Sequence, residues 1–541
     1  MIKNPILPGF NPDPSICRVG DDYYIATSTF EWYPGVQIPH SKDLANWTLV
    51  KRPLDRQSQL DMRGNPDSCG VWAPCLSYAD GLFWLVYTDV KRLDGNFKDA
   101  HNYIVTAPDI SGPWSDPVYC NSSGFDPSLF HDDDGRKWFV NVLWNHRSES
   151  VGGNPKHPAF AGILLQEYDH AAGKLVGEIT NISKGSPHGL VEAPHIFKRN
   201  GTYYLTVAEG GTGYQHTVTM LRSKQIEGPY ELHPNMFLLT SKDDPEAVLQ
   251  RAGHGQIVET PDGQVYHTHL CSRPLEVTVD VADRRSPLGR ETGLQKCVWK
   301  DDDWLYLENG GLVPEVEVVA PDGKAETQPL QAIRRQFDGT DLPAEFQWLR
   351  TPFPERLFSC TESGLILHGR ESLGSWFEQA LVARRQEHLS FRAETCLDFD
   401  PQTIQQAAGL AHYYNRTKFH FLGITWHEEK GRVLTILSCP GDWPDGRLEF
   451  PLDGEVALPA SGKIHLAMDV DREKLQFSYR LDQETDWQAI GPVLDAAVIS
   501  DEGGRGEHAS FTGAFVAMVA FDTSGAARQA CYSGFDYLPG I

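Results

Sequence analysis

The chain has 541 residues, of which 40% are hydrophobic and 22% charged, so it is long enough to form at least two domains with buried cores. Its 73 acidic residues outnumber its 48 basic residues, and the net charge of −25 repels nucleic acid and anionic membrane surfaces, so we expect neither as a partner. The 49 glycines and 36 prolines are spread along the chain, which favours an all-β protein with many turns.

Two features of the sequence favour a cytoplasmic location. The first eight residues lack the pattern of a secretion signal, and no apolar run approaches eighteen residues. The ten cysteines are scattered singly and form no C-x-x-C pair, so a zinc motif is not indicated. We therefore expect a cytoplasmic protein whose thiols are reduced and mostly buried.

A short pattern recurs five times in the first half of the chain. Each copy contains a turn, a short apolar strand, a Gly or Asp turn and an aromatic strand. The copies span residues 11–25, 72–85, 125–139, 192–205 and 253–267. Aligned on the residue before the proline, or before Gly255 in the last copy, they lie 60, 53, 67 and 61 residues apart. This spacing suits a four-stranded blade, and the repeat predicts a five-bladed β-propeller over residues 1–312.

The second half of the chain has a different pattern. The repeat disappears after Trp304, and residues 313–336 read as a connection that contains Pro321-Asp322-Gly323. From residue 337 to residue 541, segments such as 464–470, 475–481 and 515–521 alternate apolar and polar residues between turns. This alternation predicts a β-sandwich as the second domain.

The candidate chemistry lies at the aligned turn position of the repeat. That position holds Asp13, Ala73, Asp126, Ala193 and His254, and Glu192 sits one residue earlier in the fourth copy. Equivalent turns of a propeller meet at one end of its channel, so these side chains should converge. Glycosidic bond cleavage needs one carboxyl group to protonate the leaving oxygen and another to activate water or attack. The alternative is a structural turn, although clustering three acids for packing alone is unfavourable.

Several motifs carry a resemblance that covers nearly the whole chain. They include FNPDPSI at 10–16, ATSTFEW at 26–32, GFDPSLF at 124–130, EAPH at 192–195, PLGRET at 287–292 and FTGAFV at 511–516. In these motifs the chain closely resembles the β-xylosidases of glycoside hydrolase family 43. The resemblance implies a five-bladed β-propeller followed by a concanavalin-like β-sandwich that closes the active site.

The resemblance also implies a role for each acid. Asp13 corresponds to the general base, Glu192 to the general acid, and Asp126 to the residue that tunes the pKa of the acid and orients it. The family inverts the anomeric configuration, which requires room for a water molecule between the base and the sugar. An anionic Asp126 would raise the pKa of Glu192, which is the direction that a general acid needs.

Further predictions concern binding residues, cofactors and assembly. Arg290 is expected to donate to sugar hydroxyls beside its neighbour Glu291 as a carboxylate partner. The other predicted binding residues are Trp72, Phe30, His254 and Phe511, of which the last comes from the second domain. No cofactor is expected to be required, although the resemblance places a divalent cation such as calcium near His254 in some relatives. It also implies a homo-oligomer, either a dimer or a tetramer.

The function predicted from these observations is that of an exo-acting 1,4-β-xylosidase. It would remove single xylose units from the non-reducing end of xylo-oligosaccharides with inversion. The alternatives are an α-L-arabinofuranosidase, as a main or side activity, a retaining mechanism, and a sugar-binding propeller without catalysis. Phe511 would limit the pocket to one sugar beyond the cleavage point and so exclude long polymers.

Overall fold

The computed structural model describes residues 1–147, 159–504 and 510–540. Strands dominate it, as the composition predicted, and the helical elements of the described residues are three single 3₁₀ turns, at Val281–Asp283, Pro354–Arg356 and Ala496–Val498. None of the described helices has the length and apolar character that a membrane span requires.

The first domain contains five antiparallel sheets, one for each copy of the repeat. Its strands in chain order are β1 (Ile2–Lys3), β2 (Ser15–Val19), β3 (Asp22–Ala26), β4 (Trp32–Tyr33), β5 (Ile38–Ser41), β6 (Thr48–Lys51), β7 (Gly70–Ala79), β8 (Leu82–Arg92), β9 (Asp99–Ala107), β10 (Val118–Asn121), β11 (Ser128–His131), β12 (Lys137–Trp144), β13 (Phe160–Asp169), β14 (Lys174–Ser183), β15 (Glu192–Arg199), β16 (Thr202–Glu209), β17 (Thr217–Ser223), β18 (Glu231–Thr240), β19 (Gln250–Gly253), β20 (Ile257–Glu259), β21 (Val265–Ser272), β22 (Glu291–Trp299) and β23 (Leu305–Leu307).

Each sheet is a blade whose first strand faces the centre of the propeller. The blades have the strand orders β2-β3-β5-β6, β7-β8-β9-β10, β11-β12-β13-β14, β15-β16-β17-β18 and β19-β21-β22-β23, and in the last blade β20 also pairs with β21. Strand β2 contacts both β7 and β20, so the first blade lies beside the second and the fifth. The N-terminal segment strengthens this closure, because Leu7 pairs with Thr292 of the last blade.

The aligned turn position has the same unusual backbone in every blade. Its φ angle is positive at all five residues, with 59° at Asp13, 28° at Ala73, 51° at Asp126, 51° at Ala193 and 38° at His254. A side chain in this region costs about 1–3 kcal/mol, and such strain clusters at functional sites. Five repetitions of one strained conformation show that the sequence alignment of the repeat matches the geometry of the blades.

The second domain is a sandwich of two antiparallel sheets, as the alternating pattern predicted. Its strands, with those of the connection, are β24 (Glu317–Val318), β25 (Ile333–Gln336), β26 (Trp348–Leu349), β27 (Phe358–Thr361), β28 (Gly364–His368), β29 (Ala380–Arg385), β30 (Ser390–Asp398), β31 (Gln406–Asn415), β32 (Lys418–His427), β33 (Gly431–Pro440), β34 (Val456–Ala457), β35 (Ile464–Asp471), β36 (Lys474–Leu481), β37 (Gln488–Asp495), β38 (Phe515–Asp522) and β39 (Gln529–Pro539).

The two sheets form separate layers over the propeller. The inner sheet has the order β29-β38-β31-β32-β33-β34, and the outer sheet has the order β27-β28-β39-β30-β35-β36-β37 with β25 also paired to β39. Along β38, Phe515, Ala517 and Val519 belong to the apolar cluster shared with the propeller. The alternate residues Val516 and Met518 belong to the cluster shared with the outer sheet. The inner sheet is therefore apolar on both faces, one packed on each neighbour.

The connection takes part in both domains. Strand β24 pairs with β1 at the start of the propeller, and β25 pairs with β39 in the outer sheet. Residues 333–336, which the sequence analysis placed in the connection, therefore form a strand of the sandwich. The domains also share the β4–β26 pair and the stack of Trp32 on Phe515, whose ring centroids are 3.7 Å apart.

Candidate active site

All eight predicted site residues line one cavity of about 190 Å³, some on the aligned turns and others on neighbouring segments of both domains. The cavity lies at the centre of the propeller where the sandwich covers it. Its wall contains Asp13, Phe30, Trp72, Asp126, Glu192, His254, Arg290 and Phe511, together with Leu93, Lys98, Phe125, Phe160 and Thr212. The structure thus places three carboxyl groups, one guanidinium and several apolar rings around one small space.

Asp13 is oriented by donors on both of its carboxylate oxygens. Ser28 Oγ donates to Oδ2 at 2.6 Å, and Arg290 Nη1 donates to Oδ1 at 2.9 Å. His254 Nδ1 lies 3.6 Å from Oδ1. The side chains of Asp13 and Arg290 are only 6% and 4% exposed, so this ion pair is shielded from solvent and has a defined geometry.

Glu192 is placed to hold a proton near neutral pH. Burial and, after it, the charge of Asp13 raise the pKa of Glu192 to about 7, while Arg290 and Lys98 oppose the shift. The pKa of Asp126 is also raised, by burial and then by the nearby charges of Glu192 and Asp13. Asp13, Asp126 and Glu192 have the guanidinium of Arg290 as a shared positive neighbour. One positive charge does not balance three carboxylates, so a proton retained on one of them relieves their mutual repulsion.

Asp126 is linked to the acid through the backbone. The N–H of Ala193, which follows Glu192 in the chain, donates to the carboxylate of Asp126. This bond fixes the strained turn that carries Glu192. The contact supports the orienting part of the predicted role, whereas the largest cause of the raised pKa of Glu192 is burial and the second is Asp13.

The aromatic wall contains rings from both domains. The ring centroids of Phe30, Trp72 and Phe511 lie 5.9–6.1 Å from one another. Ser68 links two of them, because its backbone oxygen accepts from Trp72 Nε1 at 2.9 Å and its Oγ accepts from the backbone N–H of Phe511 at 3.0 Å. The guanidinium of Arg290 also lies over the rings of Phe30 and Phe511.

A glycine of the propeller allows the sandwich to approach the cavity this closely. Gly289 has a φ of 69°, and a Cβ atom added there would lie 2.0 Å from the backbone oxygen of Thr512. Any larger residue would push away the segment that carries Phe511.

Comparison with known proteins identifies the family. The model of Glycosyl hydrolases family 43 matches residues 2–305, and the model of the Beta xylosidase C-terminal Concanavalin A-like domain matches residues 334–538. The chain belongs to glycosyl hydrolase family 43. It is therefore a glycoside hydrolase, and the resemblance stated from its motifs is confirmed.

Relatives of this family 43 chain match it over almost its full length. It is 58% identical to "Xylosidase/arabinosidase 43B" of Humicola insolens, over 99% of this chain and 98% of the relative. It is 48% identical to "Beta-xylosidase" of Bacillus subtilis (strain 168), over 99% of both chains. The crystal structure of xylan beta-1,4-xylosidase from Bacillus halodurans C-125 superposes with a TM-score of 0.94 at 48% identity, over 99% of this chain and 100% of that one.

The family 43 site also contains residues that the sequence analysis did not single out. Continuing the Ser15–Ala26 register of the first blade by two residues places Ser28 opposite Asp13, so the hairpin contained this signal. Lys98 and Thr212 come from loops outside the repeated turn, and no repeated pattern marks them.

The expectation that Glu291 is a carboxylate partner of Arg290 is wrong. Arg290, just before β22, lies in the cavity wall, whereas Glu291, the first residue of β22, does not. Glu291 instead accepts from Arg273 Nε and Nη2, both at 2.7 Å, while Arg290 binds Asp13.

Replacing Lys98 by methionine should move the alkaline limb of the pH–activity profile to higher pH. The charge of Lys98 lowers the pKa of Glu192, so its loss allows the acid to keep its proton at higher pH. The measurement is kcat/KM on an aryl xyloside between pH 5 and 9, roughly the range in which a group with a pKa near 7 titrates. Lys42→Met, at a 72% exposed side chain, is the control. An alkaline limb that stays in place or moves to lower pH would contradict this effect of Lys98 on Glu192.

Proposed function

We propose that this glycoside hydrolase is an exo-acting 1,4-β-xylosidase that releases xylose from the non-reducing end of xylo-oligosaccharides. The observation that carries this proposal is the set of three carboxyl groups and Arg290 in one small cavity that Phe511 limits from the second domain. The names of the relatives given above support xylose as the sugar.

In the proposed mechanism each acid has a separate role. Glu192 protonates the leaving glycosidic oxygen, because its raised pKa keeps its proton near neutral pH. Asp13, oriented by Ser28 and Arg290, removes a proton from the water that attacks the anomeric carbon. Asp126 holds the turn of Glu192 through the N–H of Ala193. Attack from the face opposite the leaving group inverts the configuration.

Product stereochemistry tests this mechanism most directly. Xylobiose with a β-linkage is expected to give α-xylose as the first product in an NMR time course that is faster than mutarotation. The first appearance of β-xylose would show retention and would exclude Asp13 as a base that activates water in a single displacement.

Arabinofuranosidase activity is the second candidate, and it rests on one observation. One relative with 58% identity has both xylosidase and arabinosidase in its name. Xylopyranose and arabinofuranose can present similar hydroxyl patterns to one pocket. Competition between nitrophenyl β-xylopyranoside and nitrophenyl α-L-arabinofuranoside is expected to show one shared site, with the xyloside preferred. Independent rates in the mixture would contradict a shared site.

Phe511→Ala should weaken substrate binding and relax the size limit of the pocket. Removing this partly buried aromatic ring, which a bound sugar would cover further, loses about 1.5–3 kcal/mol of apolar contact, which corresponds to roughly a tenfold to hundredfold loss in kcat/KM on xylobiose. The loss in kcat/KM should be smaller on longer oligosaccharides, because the shorter side chain opens the pocket to them. Phe450→Ala, at a 67% exposed ring of the same domain, is the matched control. A larger loss on long substrates than on xylobiose would contradict the closing role.

A divalent cation in the channel also remains a prediction. Burial lowers the pKa of His254 to about 4, so its imidazole is neutral. Two buried histidines on β21 of the same blade have ring nitrogens without a hydrogen-bond partner, namely Nδ1 and Nε2 of His267 and Nε2 of His269. These nitrogens suit water or an imidazole-binding metal better than calcium, which prefers oxygen ligands. Activity before and after chelation, and after readdition of the metal, tests the requirement.

The location and the assembly are part of the proposal as well. We propose a cytoplasmic enzyme acting on imported oligosaccharides, and the support is that all ten cysteines are free thiols, six of them buried. A dimer or tetramer stays a prediction that sedimentation analysis of the purified chain would test.

A further inference from the structure

A cysteine, a histidine and an arginine lie side by side on the outer sheet of the sandwich, away from the active site. Cys396 on β30 is the direct cross-strand partner of His465 on β35, and His465 is the direct partner of Arg480 on β36. Because direct partners point to the same face, the three side chains form a row across three strands. Asp482, just after β36, completes the group.

The contacts of this row fix which ring nitrogen of His465 carries the proton. Arg480 Nη2 lies 3.1 Å from His465 Nδ1, and a guanidinium can only donate, so Nδ1 is the acceptor. The proton of the neutral ring is therefore on Nε2. That nitrogen lies 3.7 Å from Cys396 Sγ and 3.1 Å from Asp482 Oδ1. The one N–H of His465 thus lies between the sulfur and the Asp482 carboxylate, with the carboxylate at the shorter distance.

Arg480 is held in this position by further contacts. Its Nη1 donates to the backbone oxygen of Glu484 at 2.9 Å, and its guanidinium lies 5.3 Å from the ring centre of Trp487. The thiol, the imidazole nitrogen and the Asp482 carboxylate lie within 4.8 Å of one another, a spacing that could suit a metal ion. However, the free lone pair of the neutral ring is on Nδ1, where it accepts from Arg480, and the nitrogen that faces Cys396 and Asp482 carries a proton. This arrangement favours stabilisation of a Cys396 thiolate over metal binding.

The sulfur of Cys396 differs from the other thiols of the chain. Burial alone would raise the pKa of Cys396, but the pKa is lowered, and the hydrogen bonds with His465 and Ser533 are the largest of the opposing causes. The pKa of each of the other nine cysteines is raised, and burial is the largest cause in every case. Cys396 is also partly exposed, as a reactive thiol must be.

We propose that Cys396 is a reactive thiol that forms mixed disulfides with small disulfides such as glutathione disulfide. The Cys396 thiolate attacks one sulfur of the small disulfide and forms a new S–S bond. The original S–S bond breaks, and the second sulfur leaves as a thiolate that takes a proton from solvent. The small disulfide is the oxidant, so the exchange needs no other reagent.

Site-resolved alkylation of the folded, full-length protein tests the proposal. Under limiting iodoacetamide at pH 7, mass spectrometry should show Cys396 reacting at least about ten times faster than Cys360 and Cys531, since thiolate fraction controls the rate. These two cysteines are also partly exposed and lie on the same sheet, so they are internal controls. Equal rates at the three sites would overturn the proposal.

A histidine variant separates the role of the row from simple exposure. His465→Leu should slow the alkylation of Cys396 about tenfold, and His427→Leu, at a partly exposed histidine of the same domain, should not change it. If His465→Leu does not fold, the pH–rate profile of the unaltered protein decides instead. Half-maximal alkylation of Cys396 should then occur below the ordinary thiol pKa of about 8.5, and a midpoint at or above it overturns the proposal.

The disulfide exchange itself is measured last. Incubation with glutathione disulfide should add one glutathione to Cys396, and dithiothreitol should remove it. Cys396→Ser should abolish the adduct and leave xyloside hydrolysis unchanged, because the outer sheet does not reach the cavity. An adduct on another cysteine, or none, would contradict the proposal without affecting the proposed hydrolase function.

Discussion

Asp13→Asn is expected to reduce kcat on xylobiose by about a hundredfold to ten-thousandfold, the contribution typical of a general base. Asparagine has the same size and can turn its oxygen to Arg290 and its amide to Ser28 Oγ, so the hydrogen-bonded frame survives. It cannot take the proton of the attacking water. The loss should therefore appear in kcat, with little change in KM.

The pH–activity profile of Asp13→Asn should change as well. The charge of Asp13 raises the pKa of Glu192, so removing it lowers that pKa. Glu192 then loses its proton at lower pH, and the alkaline limb of the residual activity should move below its position near pH 7 in the unaltered enzyme. Asp22→Asn, in a surface pair with His40 of the same blade, is the control for folding and rate. Residual activity above a tenth of the original would rule out Asp13 as the base.

The fold was predictable because the repeat and the strand patterns are local signals. The repeated turn fixed the five blades, since each copy has to adopt the same strained backbone to direct its side chain to the channel. The layering of the sandwich was harder to predict. Strands β29 and β38 are buried at nearly every position, because one face packs on the outer sheet and the other on the propeller. Only the folded chain shows which partner covers which face.

The site was predictable where its residues sit on the repeat. Asp13, Asp126, Glu192 and His254 share the aligned turns, so symmetry alone indicated that they meet. Arg290 and Phe511 came from the family resemblance, and the structure places both in the cavity wall. Lys98 lies in an irregular loop without a repeated pattern, and its closeness to Glu192 depends on the path of that loop. Sequence periodicity contains no information about such a contact.

Glu192→Gln should separate substrates by the quality of their leaving group. Xylobiose has a poor leaving group that needs a proton, so kcat/KM should fall by about a thousandfold or more. A dinitrophenyl xyloside needs little protonation, and its hydrolysis should fall less than about tenfold. The pH dependence should change as well, because the group whose pKa is raised to about 7 is gone. The decline of activity above that pH should disappear on the activated substrate.

The control for this variant is a glutamate of the same blade without access to the cavity. Glu231, whose side chain is 65% exposed and pairs with Arg222, offers the matched change Glu231→Gln. An equal loss on both substrates, with the alkaline limb retained, would assign the proton donor to another group. Asp126 is then the next candidate, because burial and its two neighbouring carboxyl groups also raise its pKa. The leaving-group comparison repeated on Asp126→Asn would decide between the two acids, since only loss of the true donor spares the activated substrate.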